Sequence, residues 1–457
     1  MLAGLPLLLA IFLAIVFVVI SCSRWRWHPF LVLLLASIGL GLAAGISPLE
    51  VADTLKSGFG SILASIGIIV VLGAIIGVAL ERSGAAIKLA QLILKLVGPK
   101  RPALAMTLVG ALVSIPVFCD TGFIILSRLN RAIAAKSGLA PATLTLALAG
   151  GLYTTHTLVP PTPGPLAAAD LLGASDYIGT LMLMGLLFSL PCLLVVWQFA
   201  RRRGPQLTLT ELEEAVVEEE GRSLPSGWMS VLPILLPILL IAIGTLLEFL
   251  ALEGTWVDWL RLLGQPVIAL LLGLFVCLPL FRFINTGAEG NTASTRFADW
   301  VAEGIKLAGP ILVLTGAGGA FGAVLKATTL KTTIEGWLGE ASLGGISLLI
   351  LAFGLAALLK TAQGSSTNAI QISAAFMASF AALAGFDSAF ELSLLVVAIG
   401  AGAMTVSHAN DSYFWVVSKF SGLDLRESYS SYTPMTGLQG LTVLATVILA
   451  YGLSSLL

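Results

Sequence analysis

Four short polar stretches interrupt otherwise apolar runs, and their residue types suit recognition of a small anion. They are 116–122 (PVFCDTG), 154–165 (TTHTLVPPTPGP), 360–368 (KTAQGSSTN) and 407–413 (SHANDSY). Ionisable groups at membrane depth are costly, so Asp120, His156, His408 and Asp411 are expected to face a cavity or one another. Prolines 160, 161, 163 and 165 cannot all continue a helix. Gly364 permits a chain reversal, and Ser365, Ser366 and Thr367 are types that open the next helix. A helix starting inside the membrane offers free backbone N–H groups; hydroxyls beside them make an anion site without a buried arginine.

The elements that must position these residues follow from composition. Hydrophobic residues make up 57% of 457 and charged residues 11%, against roughly 25% charged in a soluble domain. Mean hydropathy is +1.00. A soluble fold of this size could not hide so much apolar surface. The net charge of −1 gives no reason to invoke nucleic acid. Cys22, Cys119, Cys192 and Cys277 lack the spacing of a metal site or disulfide framework and are expected to pack as small apolar residues.

Apolar stretches near the length of a membrane span occur at 3–21, 29–46, 61–80, 139–158, 178–200, 229–248, 265–281, 307–325, 390–408 and 433–455. No basic residue precedes the first of them, whereas Arg24 and Arg26 follow, so it is a retained helix with its N-terminus outside. His28 sits beside Trp25 and Trp27 as an interface anchor. Lys88, Lys95, Lys100 and Arg101 then fall inside, and so do Arg128, Arg131 and Lys136. The stretch 103–127 between these clusters must therefore enter and return on one face as a re-entrant hairpin. Acidic flanks at Glu335, Glu340, Asp387 and Glu391 make 343–384 a second hairpin, entering from outside. Lys360, near its tip, has two readings, a counter-charge for an anion or, the favoured one, a side chain snorkelling to the membrane surface.

The chain divides into 1–200, a charged cytoplasmic linker at 201–227 with six glutamates between Glu211 and Glu220, and 228–457. Gly73, Gly77 and Leu80 recur 245 residues later as Gly318, Gly322 and Leu325, and the same offset carries Asp120 onto Ser365. The expected fold is an all-α polytopic membrane protein of two inverted repeats, each with five crossings and a re-entrant hairpin. Such repeats with broken helices point to a secondary transporter that binds its substrate at the midplane. An intramembrane enzyme is disfavoured, since neither HExxH nor GxSxG is present. Symmetric distribution of the polar groups argues the same way.

On this reading a carboxylate rests near Gly364, Ser365, Ser366 and Thr367, with Thr121, His156, Thr157, Thr162, His408, Asn410 and Ser412 offering further polar contacts. Asp120 and Asp411 are the candidates to carry a coupling H⁺, with Na⁺ as the alternative, and no cofactor or metal is called for. His156 and His408 occupy related places in the two halves, and histidine titrates near neutral pH.

At the four stretches the sequence resembles the gluconate permease family, within the wider ion transporter superfamily. The resemblance is carried by 362–367 (AQGSST), 407–412 (SHANDS), 160–165 (PPTPGP) followed by 166–169 (LAAA), and 116–123 (PVFCDTGF). It implies proton-coupled uptake of gluconate and related sugar acids, or of smaller acids such as glycerate or D-serine. It also implies a homodimer working by an elevator motion in the bacterial cytoplasmic (inner) membrane; the charge count with ten crossings and two hairpins predicts both termini outside. Thr162 stands where the family often has histidine, and Phe118-Cys119 where it has two aromatics, so the pocket is expected to be reshaped toward a smaller or differently hydroxylated acid.

Overall fold

A computed structural model describes residues 2–98, 100–207, 209, 223–250, 252–283, 293–330, 332–333, 345–409 and 411–454. Asn410 and the acidic stretch 211–220 lie outside the described residues. Among those described there is no strand.

The first half comprises α1 (Leu5–Ser23), α2 (Pro29–Ala43), α3 (Pro48–Arg82), α4 (Ala85–Val97), α5 (Pro102–Val113), α6 (Cys119–Ser137), α7 (Pro141–Leu158), α8 (Pro163–Leu171) and α9 (Ile178–Arg203). The second comprises α10 (Gly227–Phe249), α11 (Thr255–Gly264), α12 (Pro266–Cys277), α13 (Ala293–Ala327), α14 (Gly345–Gln363), α15 (Ser366–Leu383), α16 (Ala389–Met404), α17 (Ser412–Ser421) and α18 (Leu425–Ser454). Proline opens α2, α3, α5, α7, α8 and α12, where its missing N–H costs nothing. Among the described residues, seven stretches are long and apolar enough to cross a membrane, and α2, α5, α16 and part of α1 are shorter apolar helices.

Several boundaries differ from those expected. The stretches 61–80 and 307–325 are the apolar centres of α3 and α13, each 35 residues long. The Ser47 hydroxyl accepts from the Glu50 N–H and starts α3 well ahead of its apolar part. At 1.5 Å per residue such helices reach about 50 Å, beyond a hydrocarbon core of about 30 Å. The first hairpin turns at 114–118, so Asp120, Thr121 and Gly122 stand in α6 and not at the reversal, and its second arm continues to Ser137. Thr154–Thr157 likewise remain helical, and the break expected near 154–165 narrows to 159–162. Arg201, Arg202 and Arg203, assigned to the linker, form the last turn of α9. The second hairpin breaks at Gly364–Ser365, where Gly364 has φ +77°. His28 is the N-cap of α2, its ring Nδ1 accepting from the Phe30 N–H at 3.3 Å.

Helices α3 and α13 pack along one another. A Cβ on Gly58 would lie 2.7 Å from the Gly319 carbonyl, so only glycine allows that approach. The Trp300 indole N–H donates to the Ile75 carbonyl at 2.8 Å and ties the two helices again. Residues 142–158 of α7 and 392–404 of α16 are buried throughout, and these helices form the core. Large apolar side chains stand exposed on α1, α2, α9, α10 and α18, the surface that lipid would cover. Cys119, Cys192 and Cys277 are buried free thiols. All four polar stretches fall at or beside breaks flanking the buried core.

Candidate functional site

The first break region is assembled from the α5–α6 turn and the α7–α8 break. A narrow cleft of about 20 Å³ is lined by Val70, Gly73 and Ala74 of α3, residues 115–118, His156, Pro161, Thr162 and Pro163. His156 is buried, and its Nδ1 has no hydrogen-bond partner. The Phe118 ring stands edge-on to it with centroids 6.2 Å apart. Thr162 donates its hydroxyl to the Val159 carbonyl. Thr157 donates within its own helix, 3.1 Å from the Tyr153 carbonyl. Both hydroxyls have spent their proton, so toward a ligand they can only accept. Asp120 and Thr121 lie half-buried in the first turn of α6, and Asp120 Oδ1 is a buried oxygen without a partner.

The α5–α6 turn is held from two sides. The Thr155 hydroxyl donates to the Ala111 carbonyl at 2.7 Å, joining α7 to the end of α5. Opposite, Gly77 of α3 comes so close that a Cβ there would sit 2.6 Å from the Pro116 carbonyl oxygen.

The second break region joins α14–α15 to the 405–411 segment. Lys360 Nζ lies 2.5 Å from Asp411 Oδ2, both side chains being almost wholly buried. The same ammonium donates to the Gly364 carbonyl at 2.9 Å and stands 5.7 Å from the centre of the Tyr153 ring. Asp411 also accepts from the Ser407 hydroxyl and, through Oδ1, from the Tyr413 N–H at 3.1 Å, which makes it the N-cap of α17. A ring nitrogen of His408 lies 3.0 Å from the Thr361 carbonyl oxygen. Tyr413 donates its hydroxyl to the Ala149 carbonyl of α7 at 3.0 Å. The snorkelling expected of Lys360 is therefore wrong. Its ammonium points inward because a carboxylate and a carbonyl wait there, and in the interior they solvate it better than distant water could.

Ser365 is the N-cap of α15, its hydroxyl accepting from the Asn368 N–H at 3.3 Å. Ser366 is buried, while Thr367 is half-buried. The two regions meet here, since a Cβ on Gly164 of α8 would lie 3.7 Å from the Thr367 Cα. Ser412 is exposed at the head of α17. The structure thus brings His156 and Thr162 together in one cleft beside the first turn of α6. It draws Gly364, His408 and Asp411 into a second cluster, with Ser365–Thr367 between the two. Sequence reasoning missed Lys360 as a partner, together with Ser407, Tyr153, Phe118 and the Thr361 carbonyl. The signal available was the i, i+4 spacing from Lys360 to the break residue Gly364.

The family model for GntP family permeases matches residues 6–453. The chain belongs to that family. A gluconate permease of Pseudomonas aeruginosa is 31% identical over 449 residues, covering 97% of each chain. The D-serine transporter DsdX of Escherichia coli is 31% identical over 443 residues, covering 96% of each. Among solved structures, the YdaH transporter of Alcanivorax borkumensis superposes with a TM-score of 0.65 at 18% identity, over 93% of this chain and 98% of that one, a likeness of fold alone. The chain is thus an integral membrane permease and not an enzyme.

Proposed function

We propose that the permease is a secondary active transporter that imports a small hydroxylated organic acid, gluconate-like or smaller, in symport with protons. The observation that carries this reading is the cleft between two helix breaks, with the His156 Nδ1 unpartnered on its wall and the heads of α6 and α15 nearby. A helix N-terminus presents unpaired N–H groups and a positive dipole end to a carboxylate. Lys360 is neutralised by Asp411, so the anion's charge falls to these backbone groups and to His156. Substrate hydroxyls donate to Thr157 and Thr162. Relatives named for gluconate and D-serine support a small, hydroxyl-bearing carboxylate.

Asp120 is the better of the two coupling candidates, because Asp411 has both oxygens occupied while Asp120 keeps one buried oxygen free. Import with more protons than substrate charge exploits the membrane potential, about 2.3 kcal/mol per charge per 100 mV. Na⁺ is the alternative coupling ion. Helices α3–α9 and α13–α18 run in similar order, a 35-residue helix, a broken hairpin, a broken helix and a long helix. This supports a repeat of two halves; their inversion, ten crossings, two re-entrant hairpins and both termini outside are parts of the same proposal. The dimer and the elevator motion belong to the same proposal, with α3 and α13 as scaffold.

Purified permease in proteoliposomes, given labelled gluconate, glycerate or D-serine under an inward proton gradient, should accumulate at least one of them. Accumulation that follows a Na⁺ gradient and ignores pH would overturn the proton assignment. Failure with the whole panel would overturn the substrate class.

A further inference from the structure

We propose that Lys360 and Asp411 are positioning residues, a buried pair that orients the head of α15 and touches neither substrate nor coupling ion. This rests on the binding site proposed above and adds a division of labour within it. All the strong contacts of the pair are internal. Lys360 Nζ meets Asp411 at 2.5 Å and the Gly364 carbonyl at 2.9 Å, and the Tyr153 ring lies 5.7 Å away. Asp411 meets Lys360, Ser407 and the Tyr413 N–H. Side-chain exposure is 0% for Lys360 and 4% for Asp411.

What the pair holds is the break itself. In a trans peptide the carbonyl and the next N–H point in opposite directions. By gripping the Gly364 carbonyl, Lys360 fixes where the Ser365 N–H points and how α15 begins. Asp411 anchors that grip to the head of α17, and the contact between His408 and the Thr361 carbonyl at 3.0 Å repeats the link one turn along. The last turn of α14 and the first of α17 therefore move as one piece with the α15 N-terminus. Each charge also suits its helix end, a lysine in the last turn of α14 and an aspartate at the N-cap of α17. The net charge of the pair is zero, so it shapes the anion site without adding a charge to it.

The test is a cycle in full-length permease: Lys360→Gln, Asp411→Asn and the double variant, with melting measured to show that each folds. Gln keeps a donor for Gly364, and the double variant is neutral. Each single variant should raise KM for the transported acid of the panel about tenfold with Vmax within threefold, and the double should return KM to within threefold of wild type. Replacing Gln by Met in the double removes the donor and should abolish that rescue. Lost binding in Lys360→Gln without rescue would make Lys360 a substrate ligand. Retained exchange with lost proton-driven accumulation in Asp411→Asn would make Asp411 an ion carrier. Rescue by the Met double would show that the grip on Gly364 is irrelevant. A readout that needs no substrate is labelling of Thr367→Cys by a methanethiosulfonate reagent. Its rate should change at least threefold in the Lys360→Gln background and recover in the double, and an unchanged rate overturns the proposal. If wild type transports no acid of the panel, the substrate reading fails while the labelling result still decides this one. Should the single variants not fold, Lys360→Arg and Asp411→Glu keep both charges but alter reach, and unchanged labelling in both would equally overturn it.

Discussion

Gly77→Ala adds one methyl group to α3 where it meets the α5–α6 turn. The new Cβ would sit 2.6 Å from the Pro116 carbonyl oxygen and 3.8 Å from the Val117 Cα. Ordinary contact needs 3.4 Å or more. The obstacle is backbone, not a flexible side-chain end, so either the turn or α3 must move. Overpacking of this kind costs about 1–3 kcal/mol. The substitution also gains about 1 kcal/mol of helix propensity, which offsets part of that. Gly73→Ala is the internal control. It gains the same propensity, and its nearest neighbours are Pro161 side-chain atoms at 4.0 Å. Gly322→Ala, at the position in the second half that matches Gly77, meets nothing closer than 3.7 Å. The difference in stability between Gly77→Ala and Gly73→Ala should thus be about 1–3 kcal/mol. Thermal unfolding in detergent should place Gly77→Ala below wild type, with Gly73→Ala and Gly322→Ala at or above it. Uptake should separate them again, because Gly73→Ala narrows the cleft and should raise KM while leaving the fold intact. A Gly77→Ala protein that melts with or above Gly73→Ala would refute the close approach.

Three further outcomes follow from particular contacts. His156→Phe keeps the ring against Phe118 and removes the nitrogens; losing a hydrogen bond to a charged ligand, about 1.5–3 kcal/mol, should raise KM roughly 10- to 100-fold. Unchanged KM would take His156 out of the site. The Gln439 amide donates to the Gly150 carbonyl at 3.0 Å and to the Thr154 hydroxyl at 2.8 Å, joining α18 to α7. Gln439→Leu should cost about 1 kcal/mol in an unfolding assay, and less in a Thr154→Val background; strict additivity would deny the coupling. Ser388 and Glu391 form a reciprocal cap at the head of α16. Ser388→Ala should cost about 1 kcal/mol, and Ser388→Asp should restore most of it; a Ser388→Ala protein as stable as wild type would argue against the cap.

The helix breaks were legible because they are local chemistry. Pro160 and Pro161 cannot continue α7, and Gly364 followed by a serine N-cap ends one helix and starts the next whatever the tertiary arrangement. The ends of α3 and α13 were not legible from hydropathy. Their polar flanks look like loops until the Ser47 cap and continuous hydrogen bonding carry α3 beyond the apolar window. Helices α4, α8, α11 and α17 escaped notice because they are only 9 to 13 residues long. Such short segments carry too little periodic signal to stand apart from a span or a loop.

By itself the sequence determined the solvent and the interruptions, because transfer energy and backbone sterics are properties of residues and their neighbours. Composition demanded a membrane, and proline, glycine and hydroxyl side chains dictated where helices stop and start. Only the tertiary structure decided which exposed groups face which. Lys360 and Asp411 stand 51 residues apart on separate elements, and nothing local tells a lysine whether its nearest counter-charge is water or a buried carboxylate. That choice is made by the packing of α14 against α16, which brings the two break segments together and removes water as the alternative.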